Sequence, residues 1–292
     1  MSAPASLLAV FAHPDDEALR CGGTLALYAA RGARVHLICL TRGEAGRNTD
    51  PSLGDVDLPA QREQELRSAC AALGIEPPIF LGYHDSGRGD RLRRDDPLAA
   101  INADPGRMER QILEVIERTH PQLLLTFDPH GMYGHPDHLI AHRVATAAYA
   151  SSGFRQVRVQ RLFYTVQSRE EMLRLQSGRS LGVLEGLEPE TYAVCDCTIA
   201  ARIDIRAHAT QKRAALFAHR TQTGPLSTLG TLTDEQFAPL MAAETFSLGG
   251  IRSSVPQYPM DDLFAGLDVE FHAEVCGEEI RGGARRSSSH DP

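Results

Sequence analysis

The stretch Leu7-Leu8-Ala9-Val10-Phe11-Ala12-His13-Pro14-Asp15-Asp16-Glu17 joins an apolar run to a histidine and adjacent carboxylates. An uninterrupted apolar run that ends in polar residues predicts a buried strand of a parallel sheet. A second apolar run, Leu123 to Phe127, is followed by Tyr133-Gly134-His135-Pro136-Asp137-His138, which opens a helical pattern. Because ligands of open α/β sheets bind beyond the carboxyl ends of the strands, the two clusters predict one active site.

Strand-like runs alternate with helical patterns from the first cluster onward. In chain order we predict strand Leu7 to Phe11, helix Asp16 to Ala30, strand Arg34 to Leu40, helix Pro59 to Leu73, strand Ile79 to Tyr83, helix Pro105 to Arg118, strand Gln122 to Phe127, helix His135 to Ala150 and strand Gln160 to Thr165. Such alternation predicts an α/β fold with a mostly parallel sheet and helices on both faces.

The pattern weakens after about residue 168. There we expect a short helix Arg169 to Gln176, a strand Tyr192 to Cys197 and a helix Ala200 to Ala218. The segment Gly249 to Pro259, rich in Ser, Gly and Pro, is typical of a linker or loop. We expect a single domain over residues 1–276, with an extension from about residue 250, and a disordered tail over residues 277–292.

Composition and charge exclude several classes of protein. Of the 292 residues, 42% are hydrophobic and 23% are charged, as in folded soluble proteins. A net charge of −8 argues against a nucleic-acid partner, and no apolar run reaches the about 18 residues of a membrane span. The six cysteines lack the spacing of a disulfide framework, and no signal peptide is apparent, which together predict a reducing cytoplasm. Cys195 and Cys197 are expected to pack in the core on one face of a strand.

The residue types of the two clusters suit a catalytic metal. A catalytic zinc site needs three protein ligands and one open position for water, and His13, Asp16 and His138 supply that set. Attack by a zinc-bound water needs a base, and Asp15 is free for this role because neighbouring side chains at a turn point in different directions. His135 would stabilise an oxyanion and protonate a leaving amine. The chemistry that results is hydrolysis of an amide.

Some assignments stay open from the residues alone. The ligand set accepts zinc or iron(II). His142 lies one turn after His138 and is either a further partner of the metal site or a packed helix histidine. Helix capping accounts for the polar residues of one cluster, but not for those of both.

These residues resemble the LmbE-like, or PIG-L, superfamily of zinc-dependent N-deacetylases, which carry Ala-His-Pro-Asp-Asp-Glu after the first strand and His-Pro-Asp-His later. The resemblance covers about residues 5–250 and includes Cys21-Gly22-Gly23-Thr24, Gly43-Glu44-Ala45-Gly46 and Leu81-Gly82-Tyr83-His84-Asp85-Ser86-Gly87. It implies a Rossmann-like fold and removal of acetyl groups from N-acetylglucosaminyl conjugates, including precursors of the thiols mycothiol and bacillithiol.

The resemblance also assigns residues. The three zinc ligands of the family correspond to His13, Asp16 and His138. Its general base corresponds to Asp15, and its oxyanion-stabilising residue to His135. The positions at which relatives contact substrate correspond to Glu44, Arg62, Asp85 and Tyr133. Arg62 has a competing interpretation as a solvated arginine of the charged helix face Gln61 to Arg67, and Asp85 has one as a turn former.

Two further features bear on specificity. Arg20 stands where relatives commonly have glycine, so its side chain would narrow the mouth of the site or meet an anionic group of the substrate. The region Gln211 to Phe246, with His219-Arg220-Thr221-Gln222, is similar to the corresponding part of the mycothiol S-conjugate amidases and would shape specificity.

The leading hypothesis is a zinc-dependent enzyme that removes acetate from a small N-acetylglucosamine conjugate. Its alternatives are an amidase that cleaves a larger amide of a thiol-sugar conjugate and a catalytically inactive protein that binds a sugar or metal. A dinucleotide-binding module is disfavoured because the first turn lacks Gly-x-Gly-x-x-Gly and carries carboxylates where a pyrophosphate would bind. The sequence leaves the oligomeric state open, a homo-oligomer included.

Overall fold

The fold is built around the buried strand that ends at the first cluster. In a computed structural model, which describes residues 2–176 and 192–272, all six residues of Ser6–Phe11 are buried. Parallel neighbours pair with both edges of this strand, since Leu7 lies opposite Val35 on one side and Leu123 on the other. A strand covered on every side needs the continuous apolar sequence found here.

The strands are β1 Ala3–Pro4, β2 Ser6–Phe11, β3 Arg34–Cys39, β4 Ile79–Phe80, β5 Leu123–Phe127, β6 Arg161–Val166, β7 Ala201–Asp204, β8 Ala243–Ile251 and β9 Val269–Glu270. The helices are α1 Asp16–Ala30, α2 Leu58–Leu73, α3 Pro105–Thr119, α4 Gly131–Gly134, α5 Pro136–Ser152, α6 Arg169–Gln176, α7 Ala209–Ala218, α8 Arg220–Thr223 and α9 Asp234–Phe237. The strands and helices predicted as far as Thr165 are therefore present. The third predicted strand is shorter than expected, because it ends at Phe80 and not at Tyr83.

Seven of the described strands form one sheet in the order β4-β3-β2-β5-β6-β8-β7. Strands β2 to β6 are parallel, and β8 is antiparallel to both β6 and β7. The predicted α/β, Rossmann-like and mostly parallel sheet is confirmed. The chain proceeds outward from β2 to β4 and returns to β5 on the other side of β2. This reversal opens a crevice at the carboxyl ends of β2 and β5, the usual ligand site of such sheets.

The helices begin and end at residues suited to those positions. Helices α1, α2 and α7 pack against one another, and α3 packs against α5. Asp104 caps α3 by accepting a hydrogen bond from Gly106 N–H, and Pro105 occupies the first turn. Helix α2 ends at Gly74, whose φ of 70° is a left-handed conformation that glycine adopts without strain.

Helix α1 contains a kink at Cys21, where φ is −151°. After the kink the backbone N–H groups of Gly23 and Thr24 donate to the Glu244 carboxylate over 2.9 and 2.7 Å. Lys212 of α7 lies 2.7 Å from the same carboxylate, and both charged side chains are buried. This buried pair ties α1, α7 and β8 together.

The predicted helix Ala200 to Ala218 is wrong in its first half. Residues 201–204 form strand β7, in which Ala201 and Ile203 are buried and Arg202 and Asp204 are exposed. An alternation of period two is the pattern of a strand, and four residues of it were too short to outweigh the helical pattern that follows. Helix α7 begins only at Ala209.

The interpretation of residues 192–197 as a strand is also wrong. This segment makes one isolated bridge, from Val194 to Ser168, and then a short 3-10 helix over Asp196–Thr198. Cys195 and Cys197 are exposed and not part of the core, because no strand is present to turn them inward. The predicted loop from Gly249 begins later, since β8 continues to Ile251.

The segment after β8 is held by Arg161, a fully buried arginine of β6. Its guanidinium donates to the carbonyl oxygens of Ser254, Leu263 and Ala265 over 2.6 to 2.7 Å. The predicted disordered tail, residues 277–292, lies outside the described residues. Across residues 2–176 and 192–272, every helix is too short or too polar to span a membrane.

Candidate metal centre

The first cluster follows β2 directly, in the turn that leads into α1. The backbone N–H of His13 donates to Asp16 Oδ2 over 2.8 Å and thereby fixes the carboxylate beside the imidazole. Asp15, between them, has a φ of 120°, which is unfavourable for a residue with a side chain. Backbone strain of this kind persists only where the surrounding structure imposes it, typically at functional sites.

The second cluster is positioned by the turn between β5 and α5. Asp128, directly after β5, accepts a hydrogen bond from Met132 N–H over 2.9 Å. His138 Nδ1 lies 3.0 Å from the carbonyl oxygen of Gly131, so Nδ1 carries the proton that this carbonyl accepts. The ring of Phe127 stacks on the imidazole at 4.0 Å. These contacts leave Nε2 of His138 without its proton and directed at the first cluster.

The three predicted metal ligands meet in the crevice. Nδ1 of His13 and Nε2 of His138 are 3.2 Å apart, and oxygens of Asp16 lie 3.6 Å from the first nitrogen and 3.4 Å from the second. Ligands bound at about 2.1 Å around a tetrahedral zinc ion are separated by about 3.4 Å. The observed separations match this spacing, and all three residues are buried. The donor set therefore fits a divalent metal ion.

The charge states of two of these residues also suit a metal. Burial lowers the pKa of His138 to about 4. Although burial opposes the change, His138 and His13 hold the pKa of Asp16 well below its usual value. Neutral imidazole and ionised carboxylate are the forms that bind metal ions.

Asp137 holds the far side of His13, a function that sequence analysis missed. Its Oδ2 lies 3.1 Å from His13 Nε2 and also accepts the backbone N–H of Ser86 over 2.9 Å. Asp85 Oδ1 is 3.5 Å from the same ring nitrogen. Against the effect of burial, the carboxylates of Asp85, Asp137 and Asp16 raise the pKa of His13. A carboxylate on one imidazole nitrogen orients the other toward a metal, as is usual for metal-bound histidines.

A second set of three side chains is close enough to hold an ion. The ligand atoms of His13, His135 and His138 all lie within 4.8 Å of one another. However, His135 Nδ1 already accepts the backbone N–H of Asp137 over 3.2 Å. This hydrogen bond occupies Nδ1 of His135 and favours the set that contains Asp16, with His135 beside it.

His135 is neutral in this environment. Burial, followed by repulsion from His13 and His138, lowers the pKa of His135 to about 2. Because Nδ1 accepts a backbone hydrogen bond, the ring proton is on Nε2. The ring centroid is 4.6 Å from that of His13. The structure therefore places a neutral N–H donor next to the predicted metal ligands.

Arg62 is buried and contacts the turn of the first cluster, so its interpretation as a solvated helix arginine is wrong. It donates to the carbonyl oxygens of Pro14 and Gly43 over 2.5 and 3.1 Å, and its Nη2 lies 3.4 Å from Asp15 Oδ2. Burial raises the pKa of Asp15 to about 6, and the charge of Arg62 opposes this rise. Gly43 is required here because a β-carbon would lie 2.0 Å from the guanidinium.

The other predicted substrate-contacting residues lie around the same crevice. Glu44 Oε2 accepts the backbone N–H of Asp85 over 2.8 Å, and Asp85 Oδ2 accepts that of Ala45 over 3.3 Å. Asp85 Oδ1 accepts the backbone N–H of Gly87 over 2.8 Å, which is the turn-forming role proposed as its alternative, and the same oxygen lies 3.5 Å from His13 Nε2. The ring centroid of Tyr133 is 5.3 Å from that of His138, and burial raises the pKa of Tyr133 to about 12.

The buried pair of Glu17 and His219 holds the backbone of Asp15 in place. The backbone N–H of Asp15 donates to Glu17 Oε2 over 3.1 Å, and Glu17 Oε1 is 2.7 Å from His219 Nε2. His219 belongs to the stretch that sequence analysis connected with specificity. Its side chain is buried behind the first cluster, where it contacts Glu17.

His142 and Arg20 are the two remaining residues whose roles the sequence left open. His142 Nδ1 bonds to the carbonyl oxygen of Phe127 at 2.9 Å, and its ring packs beside Tyr164, which favours its interpretation as a packed helix histidine. Arg20 is half-buried and donates to Gln167, which directly follows β6, over 3.1 Å.

Comparisons with known proteins agree with this fold and give the family of the chain. The sequence profile of the family described as PIG-L, GlcNAc-PI de-N-acetylase, matches residues 8–149. A relative from Actinosynnema mirum, named 1D-myo-inositol 2-acetamido-2-deoxy-alpha-D-glucopyranoside deacetylase, is 41% identical over 289 residues, which are 91% of this chain and 99% of the relative. The chain belongs to the PIG-L family. The predicted family and the predicted class of enzyme are confirmed.

Solved structures share the architecture at lower sequence identity. N,N'-diacetylchitobiose deacetylase from Pyrococcus horikoshii has a TM-score of 0.52 and 20% identity, covering 83% of each chain. The 4-carboxy-2-hydroxymuconate hydratase GalB from Pseudomonas putida KT2440 has a TM-score of 0.58 and 20% identity, covering 87% of this chain and 99% of its own. Since one fold carries a deacetylase and a hydratase, the reaction has to be argued from the site.

Proposed function

We propose that this protein is a zinc-dependent N-deacetylase that releases acetate from N-acetylglucosamine linked to myo-inositol. The observation that carries the proposal is the meeting of His13, Asp16 and His138 at tetrahedral ligand spacing in the crevice between β2 and β5. The choice of the inositol conjugate follows the name of the Actinosynnema mirum relative, which aligns along nearly its whole length.

His13, Asp16 and His138 would hold the metal. When bound, a zinc ion supplies Lewis acidity and lowers the pKa of coordinated water toward about 7. Iron(II) suits the same ligands, so the identity of the metal is part of the proposal.

Asp15 is the proposed general base. It is beside the ligand Asp16, its side chain is 29% exposed and so reachable by water, and burial brings its pKa to about 6. A base with a pKa near the working pH can take the proton of an attacking water and later release it. Arg62 and Glu17 hold Asp15 from its side chain and its backbone, so we assign Arg62 a positioning role in addition to its place near the substrate.

His135 is the proposed oxyanion donor. Its proton on Nε2 can hydrogen-bond to the oxygen that gains charge when water adds to the acetyl carbonyl. Glu44, Asp85 and Tyr133 border the crevice, where we propose that they contact the sugar. Arg20 would meet the part of the substrate beyond the sugar, near the end of β6.

The test compares the wild type with Asp15→Asn in zinc-loaded protein, using Asp55→Asn on the surface as the matched control. Acetate release is measured with N-acetylglucosamine linked to inositol and, separately, to malate. We expect the inositol conjugate to be cleaved and Asp15→Asn to reduce kcat about 10²- to 10⁴-fold at unchanged zinc content. Equal activity of Asp15→Asn and wild type would remove Asp15 from its role.

The same assay separates the alternatives. Cleavage of a larger amide of a thiol-sugar conjugate without acetate release would identify an amidase. Binding of these sugars with no product from any of them would identify a binding protein. Metal analysis of the purified protein decides between zinc and iron. We also infer that the enzyme acts in the cytoplasm on a small-molecule amino sugar. Its oligomeric state is to be measured by light scattering.

A further inference from the structure

Two exposed cysteines face each other on a surface turn that the proposed reaction does not use. The sulfur atoms of Cys195 and Cys197 are 2.8 Å apart, and both residues are exposed. The turn is closed by the backbone N–H of Thr198, which donates to the carbonyl oxygen of Cys195 over 2.8 Å. A disulfide has an S–S distance of about 2.05 Å, so a small rotation of the side chains would join the two atoms.

The backbone of this turn is fixed to the end of β6. Val194 N–H donates to the Gln167 carbonyl over 2.9 Å, and Arg169 N–H donates to the Val194 carbonyl over 3.0 Å. The hydroxyl of Ser168 donates to the carboxylate of Asp196, between the two cysteines. Anchors on both sides keep the thiols together, which lowers the entropic cost of joining them.

We propose that Cys195 and Cys197 form a redox-active dithiol that low-molecular-weight disulfides oxidise to an intrachain disulfide. The thiolate of Cys195 attacks one sulfur of the small disulfide, the S–S bond of that molecule breaks, and one thiol leaves. Cys197 then loses its proton to solvent and attacks the Cys195 sulfur, releasing the second thiol. In total the protein loses two protons and two electrons, and one small disulfide takes them up to become two thiols.

The order of attack follows from the difference in pKa between the two thiols. The hydrogen bond from Cys197 lowers the pKa of Cys195, and the pKa of Cys197 is raised by the same contact. Thiolates are the nucleophiles of disulfide exchange. The other described cysteines are buried, and burial raises the pKa of each of them, which makes them poor competitors: Cys21, Cys39 and Cys70.

The experiment uses the folded chain in a Cys276→Ser background, because Cys276 lies outside the described residues. The protein is incubated with glutathione disulfide under native conditions and examined by intact and peptide mass spectrometry. We expect the background protein to lose two hydrogens, with a bond between Cys195 and Cys197, and dithiothreitol to reverse the change. Additional Cys197→Ser should trap a stable glutathione adduct on Cys195, whereas Cys70→Ser should behave as the background does.

Two outcomes would overturn the proposal. One is an unreacted background protein after incubation that fully oxidises a reference dithiol. The other is a background protein that accumulates glutathione adducts on Cys195 or Cys197 without closing the bond. Since neither readout involves acetate release, the result is independent of the proposed deacetylase activity.

Discussion

At the scale of single residues, the ability of His13 to bind a metal depends on which of its ring nitrogens carries a proton. Asp137 and Asp85 both lie next to Nε2, so the proton belongs there and Nδ1 faces Asp16 and His138. Without the two carboxylates the ring would be free to adopt the other tautomer. The affinity of the site for a metal therefore depends on a residue that is not itself among the proposed ligands.

We predict that Asp137→Asn weakens zinc binding about 10- to 100-fold, the usual effect of removing a carboxylate partner of a metal-bound histidine. The amide keeps the size of the side chain but can present its NH₂ group to Nε2 and favour the wrong tautomer. Zinc affinity is measured by competition with a chromophoric chelator. Asp90→Asn, an exposed substitution, serves as the control, and equal affinities of the two variants would show that Asp137 does not orient His13.

The two motifs were sufficient to predict the residues that meet at the metal, because each motif follows directly on a buried strand. They were not sufficient for Asp137, Glu17 and Arg62. Asp137 is consistent in sequence with an ordinary first-turn residue, and Arg62 with a solvated one. Their burial depends on segments distant in sequence, such as Ser86 for Asp137 and His219 for Glu17, and no local pattern records those contacts.

At the scale of elements, helix α1 carries the first cluster at one end and a kink in its middle. Just past the kink, the backbone N–H groups of Gly23 and Thr24 both donate to the Glu244 carboxylate. A buried carboxylate is costly without an opposite charge, and Lys212 supplies that charge. The geometry of α1 thus depends on a residue pair from the C-terminal third of the chain.

We predict that Lys212→Met lowers the free energy of unfolding by about 3–5 kcal/mol, because it leaves Glu244 as an unpaired buried charge. The double variant Lys212→Met, Glu244→Gln should lose less, since no charge remains buried. Urea denaturation measures both values. Arg213→Met, the neighbouring and exposed position on α7, should change stability by no more than about 1 kcal/mol. A double variant at least as destabilised as Lys212→Met would contradict this account.

The elements themselves could be predicted where the apolar pattern was long. The parallel strands and their helices extend over enough residues for periods of 2 and 3.6 to be distinguished. Strand β7 has only four residues and lies shortly before α7, so its alternating pattern was interpreted as the start of that helix. The antiparallel position of β8 between β6 and β7 depends on pairing across the sheet, which sequence patterns do not encode.

At the scale of the whole molecule, the pair Glu17 and His219 connects the first cluster to the segment between α7 and α8. Although burial opposes the change, the carboxylate of Glu17 raises the pKa of His219. The carboxylate of Asp15 also raises the pKa of His219, and the positive charge of Arg62 lowers it. A histidine whose pKa is higher in the folded state contributes stability while it is protonated.

The pH dependence of stability should show this contribution. Relative to the double variant Glu17→Gln, His219→Gln, we expect the wild type to have its full extra stability from about pH 5 to 6.5, where the unfolded histidine is also protonated. This excess should decline as the pH rises through the raised pKa of His219. Urea denaturation of both metal-free proteins in steps from acid to alkaline pH measures the difference. A difference that grows above pH 6.5 would show the opposite sign of linkage.

The proposed metal site also brings together parts of the chain that are far apart in sequence. His13 and Asp16 follow β2, and His138 lies in α5, so an ion bound by all three links two halves of the sheet across the crevice. Because the unfolded chain does not bring these ligands together, zinc should stabilise the folded state by about 2.7 kcal/mol at a free concentration 100 times its Kd. We therefore predict that chelation lowers the thermal midpoint of the wild type and that zinc restores it.

The control for this prediction is Asp16→Asn, which removes one ligand and should abolish most of the stabilisation by zinc. Both proteins are best examined with Cys195→Ser and Cys197→Ser, because exposed thiols also bind zinc. Scanning calorimetry with and without zinc gives the shift for each chain. If zinc raised the midpoint of the Asp16→Asn chain as much as that of its parent, the stabilising ion would have to bind elsewhere. The convergence of the two clusters would then be a feature of packing, because capping and the buried carboxylates would account for it without a metal.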